Sequence, residues 1–402
     1  MDFQARVVQY ENITSDQHLR DYCQVISQAE IVAFDTEFVS EDSYLPDLCL
    51  IQVAAEGRLA IIDPLEVQDL TPFWELLATE GRETLVHAGR EEFRFCLRAI
   101  GRRPSKWFDV QLASGLMGLE YPASYGTLAY KLLGKSLSKD ETRTDWRRRP
   151  LSQRQLEYAL LDVQDLQAIR GEIRERLGRL GRLPWLEAEL ATWQDEMETQ
   201  ENSSERWRRI AGLTGMSARG LAIVREIWTW RDSEAERRNC PPRRILRDDL
   251  LIELAKRQTP DVKRIRTLRG MERGDIQKHI PKIADCIERA QALTDHQLPS
   301  TERKPNRPQL NLLGQFLSTA LGSICRKASV AASLVGSAQD VRDLIAYRLN
   351  LGGFEEGEIP LLAQGWRAEV VGQVIDHLLA GDVAIRIADP LADEPLEFES
   401  RN

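Results

Sequence analysis

Two carboxylates stand two residues apart in Phe34-Asp35-Thr36-Glu37-Phe38, at the end of the apolar run Ile31-Val32-Ala33-Phe34. On a β-strand residues i and i+2 point to the same face, so Asp35 and Glu37 project together. Held side by side they repel, and a hard divalent cation relieves that repulsion while taking their oxygens as ligands. Two solvated acids at a strand end would give the same pattern. A second cluster, Tyr158-Ala159-Leu160-Leu161-Asp162, has the i, i+4 spacing that stacks a phenol and a carboxylate on one helix face. A phenol beside a metal-ligating acid can orient a water for attack on phosphorus, although such pairs are commonplace on helix surfaces. The third cluster, His87-Ala88-Gly89-Arg90-Glu91-Glu92-Phe93, follows a strand and opens a helix, so Glu92 can face back toward the strand ends. The alternative is that Glu91 and Glu92 only complement the helix dipole. His87 reads as a satisfied structural histidine.

The elements that must position these groups alternate strand and helix over the first 195 residues. Val7-Val8-Gln9-Tyr10 reads as a short strand, and Thr14-Ser15-Asp16-Gln17 as a capping box opening a helix to about Ile26. Strands are expected at Ile31–Phe34, Leu48–Val53, Leu59–Ile62 and Thr84–His87, which together suggest an α/β sandwich with a mixed sheet. Beyond about residue 204 the strand signal nearly vanishes. Leu221, Val224 and Trp228 recur at helical spacing, ending before Pro241-Pro242, and Asp249–Arg257 and Ile276–Ala292 read as further helices. Residues 298–309, polar and holding three prolines, are the best linker. Helical periodicity resumes at Leu310, with Val383–Ile387 as a terminal strand.

In this order the three clusters resemble the exonuclease motifs of the DEDD superfamily, in its tyrosine-bearing branch, and specifically the ribonuclease D family. The matching stretches are FDTEFVSEDSYLPDLCLIQVA (34–54), LVHAGREEFRF (85–95) and DETRTDWRRRPLSQRQLEYALLDVQDL (140–166). The resemblance implies a ribonuclease H-like α/β nuclease domain in residues 1–195. It makes Asp35, Glu37, Glu92 and Asp162 the catalytic acids and metal ligands, and Tyr158 the residue that positions the nucleophilic water. Glu92 departs from the family pattern, which has Asp there; the longer side chain moves the carboxylate by about one C–C bond in a site that needs placement within about 0.5 Å. Two divalent ions are implied, and all-oxygen ligands suit Mg²⁺ or Mn²⁺. Tyr44 is a candidate to stack on a terminal base. Lys139, Arg143 and the run Arg147-Arg148-Arg149 are a candidate phosphate track, with a solvated basic loop as the alternative.

Residues 204–292 resemble an HRDC domain, the helical module of ribonuclease D and RecQ helicases, through RGLAIVREIWTWRDSEAERRNCPPRRILRDDLLIELAKRQTP (219–260) and IRTLRGM (265–271). Trp228, Trp230, Ile245, Leu250, Leu254 and Leu268 read as its core. Net charge is −9, yet residues 201–290 alone carry +7 while the flanking blocks carry −11 and −5. A basic block between acidic ones suits a module that grips a polyanion. Its candidate nucleic-acid surface is Arg243, Arg244, Arg247, Lys256, Arg257, Lys263, Arg264, Arg266 and Arg269. The domain layout expected is an exonuclease domain (1–195), an HRDC domain (200–293), a linker (294–309) and a second HRDC-like helical domain (310–402). In that last domain GWRAEVVGQVIDHLLAGDVAIRIADP (365–390) resembles some family members' C-terminal stretch.

Apolar content of 42% and charged content of 29% fit a folded chain, and no apolar run approaches the roughly 18 residues that cross a membrane. The six cysteines are scattered, without a CxxC pair or a zinc-ligand histidine, which points to free thiols in a reducing cytoplasm. The function these features imply is a 3′→5′ exoribonuclease that releases nucleoside 5′-monophosphates and trims RNA 3′ ends, with precursor tRNA the partner expected of the family and a monomer the expected state. Two alternatives stay open: a nucleic-acid-binding pseudonuclease weakened by Glu92, and a DNA 3′→5′ exonuclease.

Overall fold

The computed structural model describes residues 9–137, 144–272, 274–301, 308–354, 357–392 and 394–400. The first region contains β1 (Glu11–Ile13), α1 (Asp16–Val25), β2 (Ile31–Val39), β3 (Asp47–Ala55), β4 (Arg58–Ile62), α2 (Thr71–Ala78), β5 (Glu83–Val86), α3 (Arg90–Ile100) and β6 (Lys106–Asp109). Helices α4 (Val110–Gly115), α5 (Tyr125–Leu133), α6 (Gln153–Gln164), α7 (Leu166–Arg179) and α8 (Leu183–Asn202) follow. The strands form one mixed sheet in the order β1-β4-β3-β2-β5-β6. Antiparallel β2–β3–β4 make its centre, and β1, β5 and β6 pair in parallel at the sides. The expected α/β sandwich is therefore present, with differences at its start. The first strand is Glu11–Ile13 rather than Val7–Tyr10, of which residues 7 and 8 lie outside the described residues. The helix cap is Ser15, which accepts from the His18 N–H, one residue later than the expected box.

Strand β2 runs to Val39, five residues past its expected end at Phe34, and continues through both acids. One of its faces buries Val32 and Phe34, the latter edge-on to Phe73 and Trp74 of α2. Helix α6 covers the other face, where Ala159 and Leu160 join Leu50, Ile61 and Trp146 in a small apolar cluster. A complete capping box, Ser152 with Gln155, fixes where α6 begins.

The HRDC-like region contains α9 (Ala218–Arg237), α10 (Pro242–Ile245), α11 (Asp248–Arg257), α12 (Val262–Arg266), α13 (Gly274–Gln277) and α14 (Ile280–Ala292) around a core of its own. The single helix expected at 276–292 is thus two, divided before Pro281, which sits in the first turn of α14. Trp228 and Trp230 are half-buried at the margin of this core, and the fully buried tryptophan is Trp207.

The last region contains α15 (Pro308–Lys327), α16 (Ala332–Val335), α17 (Ala338–Arg348), α18 (Gly365–Arg367), α19 (Gln373–Ala380) and an antiparallel pair, β7 (Val383–Ile387) with β8 (Leu396–Ser400). The expected terminal strand is therefore one arm of a hairpin that closes an otherwise helical region. Its buried side chains, Leu317, Ile324, Leu334 and Trp366 among them, are continuous with the core of the nuclease region.

Candidate active site

Asp35 and Glu37 lie on the α6 side of β2, and Tyr158 and Asp162 come down onto it from α6. Glu92 enters from the first turn of α3. Gly89 makes that entry possible, because a Cβ there would stand 2.5 Å from Val86 Cγ2 and 2.7 Å from Trp107 Cζ2. The Asp109 carboxylate fixes the preceding turn by accepting from the Ala88 and Gly89 N–H groups at 3.0 and 3.1 Å. The two neighbouring acids of α3 part company. Glu91 pairs with Arg94 at 2.5 Å, whereas Glu92 turns inward, 5% exposed, and accepts from Thr36 Oγ1 at 2.5 Å. Helix-dipole placement alone does not account for a glutamate buried in this way.

The electrostatics bind these acids into one group. Burial, then the charges of Glu92, Asp162 and Glu37, push Asp35 well above the usual carboxylate range. Burial, then Asp162 and Glu92, push Glu37 up to about 8. Burial raises Asp162 to about 7, against the opposing hydrogen bond from Tyr158. Burial also raises Glu92 to about 7, with Thr36 opposing. The Tyr158 phenol is pushed up by burial and by the charge of Asp162, so it stays protonated at any physiological pH. Its ring leans on Trp146 at 6.3 Å.

The chain is 33% identical over 363 residues to ribonuclease D of Gluconacetobacter diazotrophicus, covering 90% of each chain. It is likewise 32% identical to ribonuclease D of Granulibacter bethesdensis, covering 93% of this chain and 94% of that one. The chain belongs to the ribonuclease D family. A 3′-5′ exonuclease family model matches residues 10–178, and the HRDC domain model matches residues 220–287. The crystal structure of Escherichia coli RNase D, an exoribonuclease involved in structured RNA processing, superposes with a TM-score of 0.80 at 26% identity, covering 93% of this chain and 99% of that one. The catalytic core of RRP6 from Trypanosoma brucei, at 18% identity and a TM-score of 0.54, shares the fold. The chain is thus a 3′→5′ exonuclease of the ribonuclease D type with an HRDC domain behind its nuclease domain.

In this ribonuclease D homologue the substrate-side candidates fare differently from the acids. Tyr44 is not open for stacking through its hydroxyl end, which donates to Asp232 Oδ2 of α9 at 2.9 Å. Arg149 does not point toward a phosphate path. It is bidentate to Asp63 at 2.6 and 2.7 Å and also donates to the carbonyls of Cys49 and Trp146, so it braces the loop before α6. Arg147 pairs with Asp145, and Arg148 remains 84% exposed. Lys139 and Arg143 lie outside the described residues. In the HRDC region Arg243 is exposed, Arg244 pairs with Asp42, and Arg247 pairs with Asp249 at 2.7 Å. His87 is structural, as read: its Nε2 meets the Ala123 carbonyl at 2.9 Å. Sequence reasoning passed over Thr36 and Gln52. Both stand within the quoted motif, but which face each takes, and what it stands opposite, depends on strand register. Among the described residues no helix is long and apolar enough to cross a membrane.

Proposed function

We propose that the chain hydrolyses RNA from the 3′ end with the help of divalent metal, releasing nucleoside 5′-monophosphates, and that 3′-extended structured RNA such as precursor tRNA is its substrate. The observation that carries this is the gathering of Asp35, Glu37, Glu92 and Asp162, in which the charges of Glu92 and Asp162 bear on both Asp35 and Glu37. Burial, joined at Asp35 and Glu37 by neighbouring carboxylate charge, holds these acids above the usual carboxylate range, which a cation would relieve, and their donors are all oxygen, which fits Mg²⁺ or Mn²⁺. Among the described residues no three such side chains are drawn tightly enough together to form a closed ligand set.

Asp35, Glu37 and Asp162 would hold the metal, with Glu92 behind them. Bound there, it supplies Lewis acidity, lowering the pKa of a water and offsetting charge on the departing oxygen. The protein's own share is positional. Tyr158, protonated and braced by Trp146, presents a hydroxyl beside Asp162 that orients the attacking water. Burial of the acids keeps the field on the scissile phosphate strong. The HRDC domain would add grip through exposed cations such as Arg243, Lys263 and Arg266, each phosphate contact steepening the salt dependence by roughly 0.7 on a log–log plot for single strands.

The test is a 5′-labelled RNA with a 3′ extension, incubated with Mg²⁺ or Mn²⁺ beside wild type, Asp35→Ala and Glu92→Asp. A one-nucleotide ladder from the 3′ end that vanishes in Asp35→Ala is expected. The Thr36–Glu92 bond favours one other reading, a site slowed by a carboxylate held back from its place. Silence from wild type with a ladder from Glu92→Asp would establish that one instead.

A further inference from the structure

Gln52 is fully buried, and neither its amide nitrogen nor its amide oxygen has a hydrogen-bond partner. A buried amide with two donors and a carbonyl acceptor all idle is rare in a folded core and calls for an explanation. Its place in the sheet supplies one. In the antiparallel ladder Gln52 of β3 stands directly opposite Asp35 of β2, and in the next ladder directly opposite Ile61 of β4. Directly opposed residues share a face, so Asp35, Gln52 and Ile61 form one row across the sheet beneath α6.

The surroundings of that row are apolar except on one side. Ile61 and Leu50 pack with Ala159 and Leu160 of α6. Opposite lies the Asp35 carboxylate, and Glu37 is the diagonal neighbour on the same strand, both within cross-strand reach of a long side chain. An apolar residue of similar size would fill the row equally well, so packing alone does not call for a glutamine.

We propose that Gln52 is a positioning residue for Asp35: when Asp35 ligates a divalent ion, the Gln52 amide donates to the carboxylate oxygen left free and fixes which oxygen faces the metal. Outer partners of this kind orient a ligand that a single side-chain torsion would otherwise leave to swing. The amide is held ready by the sheet register and engages on metal binding. This inference rests on the metal-site reading of Asp35 given above.

The experiment compares wild type, Gln52→Leu, Gln52→Met and Asp35→Ala in two measurements. The first is thermal melting of EDTA-treated full-length protein and its upward shift on titration with Mn²⁺ or Mg²⁺ alone. The second is kcat and KM on a short 5′-labelled oligoribonucleotide. The expected result is that Gln52→Leu and Gln52→Met melt at or above wild type without metal, need about 10- to 100-fold more metal for the same shift, and lose kcat by a comparable factor with KM unchanged. Lower melting without metal but a normal metal response would make Gln52 a packing residue and overturn the proposal, as would a full metal response with full kcat. The metal titration separates this inference from the exonuclease reading. If wild type binds metal without cleaving RNA, only that reading fails. If Asp35→Ala shifts with metal as wild type does, Asp35 is no ligand and the proposal fails with it.

Discussion

The two helical regions behind the nuclease domain are attached to it in opposite ways. The C-terminal region, 308–400, merges with it: Ala331 N–H donates to the Gly115 carbonyl at 2.8 Å, and Gly118, at φ +84°, leaves the Ser329 backbone only 3.0 Å from where a Cβ would be. Arg182 donates to the Leu116 and Ser329 carbonyls at 2.8 and 2.7 Å and so ties the two regions across their seam. Glu189 of α8 accepts from Arg367 at 2.6 and 2.7 Å and from the Trp366 indole at 3.1 Å, while Trp366 stacks on Trp185 at 5.5 Å. The HRDC domain instead keeps a separate core and meets the loop after β2 through polar contacts. Tyr44 binds Asp232 by its hydroxyl and Asn239 by its backbone N–H, and Asp42 pairs with Arg244. A shared apolar core is insensitive to salt, whereas exposed polar contacts are screened by it. One helical region is therefore part of the nuclease body. The other keeps its own core and meets the loop after β2 through polar contacts.

The sharpest way to break this contrast is truncation. Ending the chain after Ser300 uncovers the nuclease core along α4 and α8, and should lower the melting temperature by at least about 10 °C or prevent folding. Removing residues 203–300 with a flexible bridge should leave the melting of the remainder within a few degrees. A C-terminal truncation that melts like the full chain would sink the idea of one shared body. Next in size is Glu189→Ala, which strands a guanidinium in a pair only 12% exposed on each side. Urea unfolding should register a loss of about 3 kcal/mol, and an effect below about 1 kcal/mol would mean solvent replaces the carboxylate.

A smaller effect, on the active-site side, comes from pH. An acid whose pKa is higher folded than unfolded binds more protons when folded, so stability falls as pH rises. With Glu92 and Asp162 at about 7 and Glu37 at about 8, EDTA-treated protein should be most stable near pH 5 and lose stability progressively to about pH 8.5. Asp35→Ala, relieving the crowding, should flatten that slope, and saturating Mg²⁺ should reverse it. A pH-independent melting curve between 5 and 8.5 would show that the acids are solvated and do not act as one group.

How much of this was legible beforehand divides along the same line. Asp35, Glu37, Tyr158 and Asp162 could be found because their spacing is local, two residues on a strand and four on a helix, and the fold brings the pairs together as that spacing requires. Glu92 could be found only as a position; its bond to Thr36 depends on which face of β2 each residue takes. Gln52 is invisible without the register that sets it opposite Asp35. Within the arginine run Arg149 finds Asp63, 86 residues away, which charge counting does not show. The attachment of the C-terminal region was also hidden, since α15 and α17 have ordinary amphipathic patterns that do not say which surface they cover.

The smallest expected effect bears most directly on the polar attachment. Tyr44→Phe keeps the ring that base stacking would use and removes only the hydroxyl that donates to Asp232. Asp232 retains Arg206 at 3.0 Å, so no charge is left without a partner, and the cost should be about 1 kcal/mol. If stacking is what Tyr44 does, the variant should trim RNA like wild type at every salt concentration. If the hydroxyl holds the HRDC domain in place, long structured RNA should lose kcat/KM several-fold while short oligomers are unaffected, and the loss should be mimicked by Asp232→Asn. Combining the two substitutions should then add little, because both remove the same bond. Small-angle scattering at about 0.5 M salt, where exposed charges more than about 4–5 Å apart are largely screened, should show the variant expanding before wild type does. Additive losses in the double variant, with unchanged scattering, would assign Tyr44 to the substrate and leave the domain contact to Asp42 and Arg244.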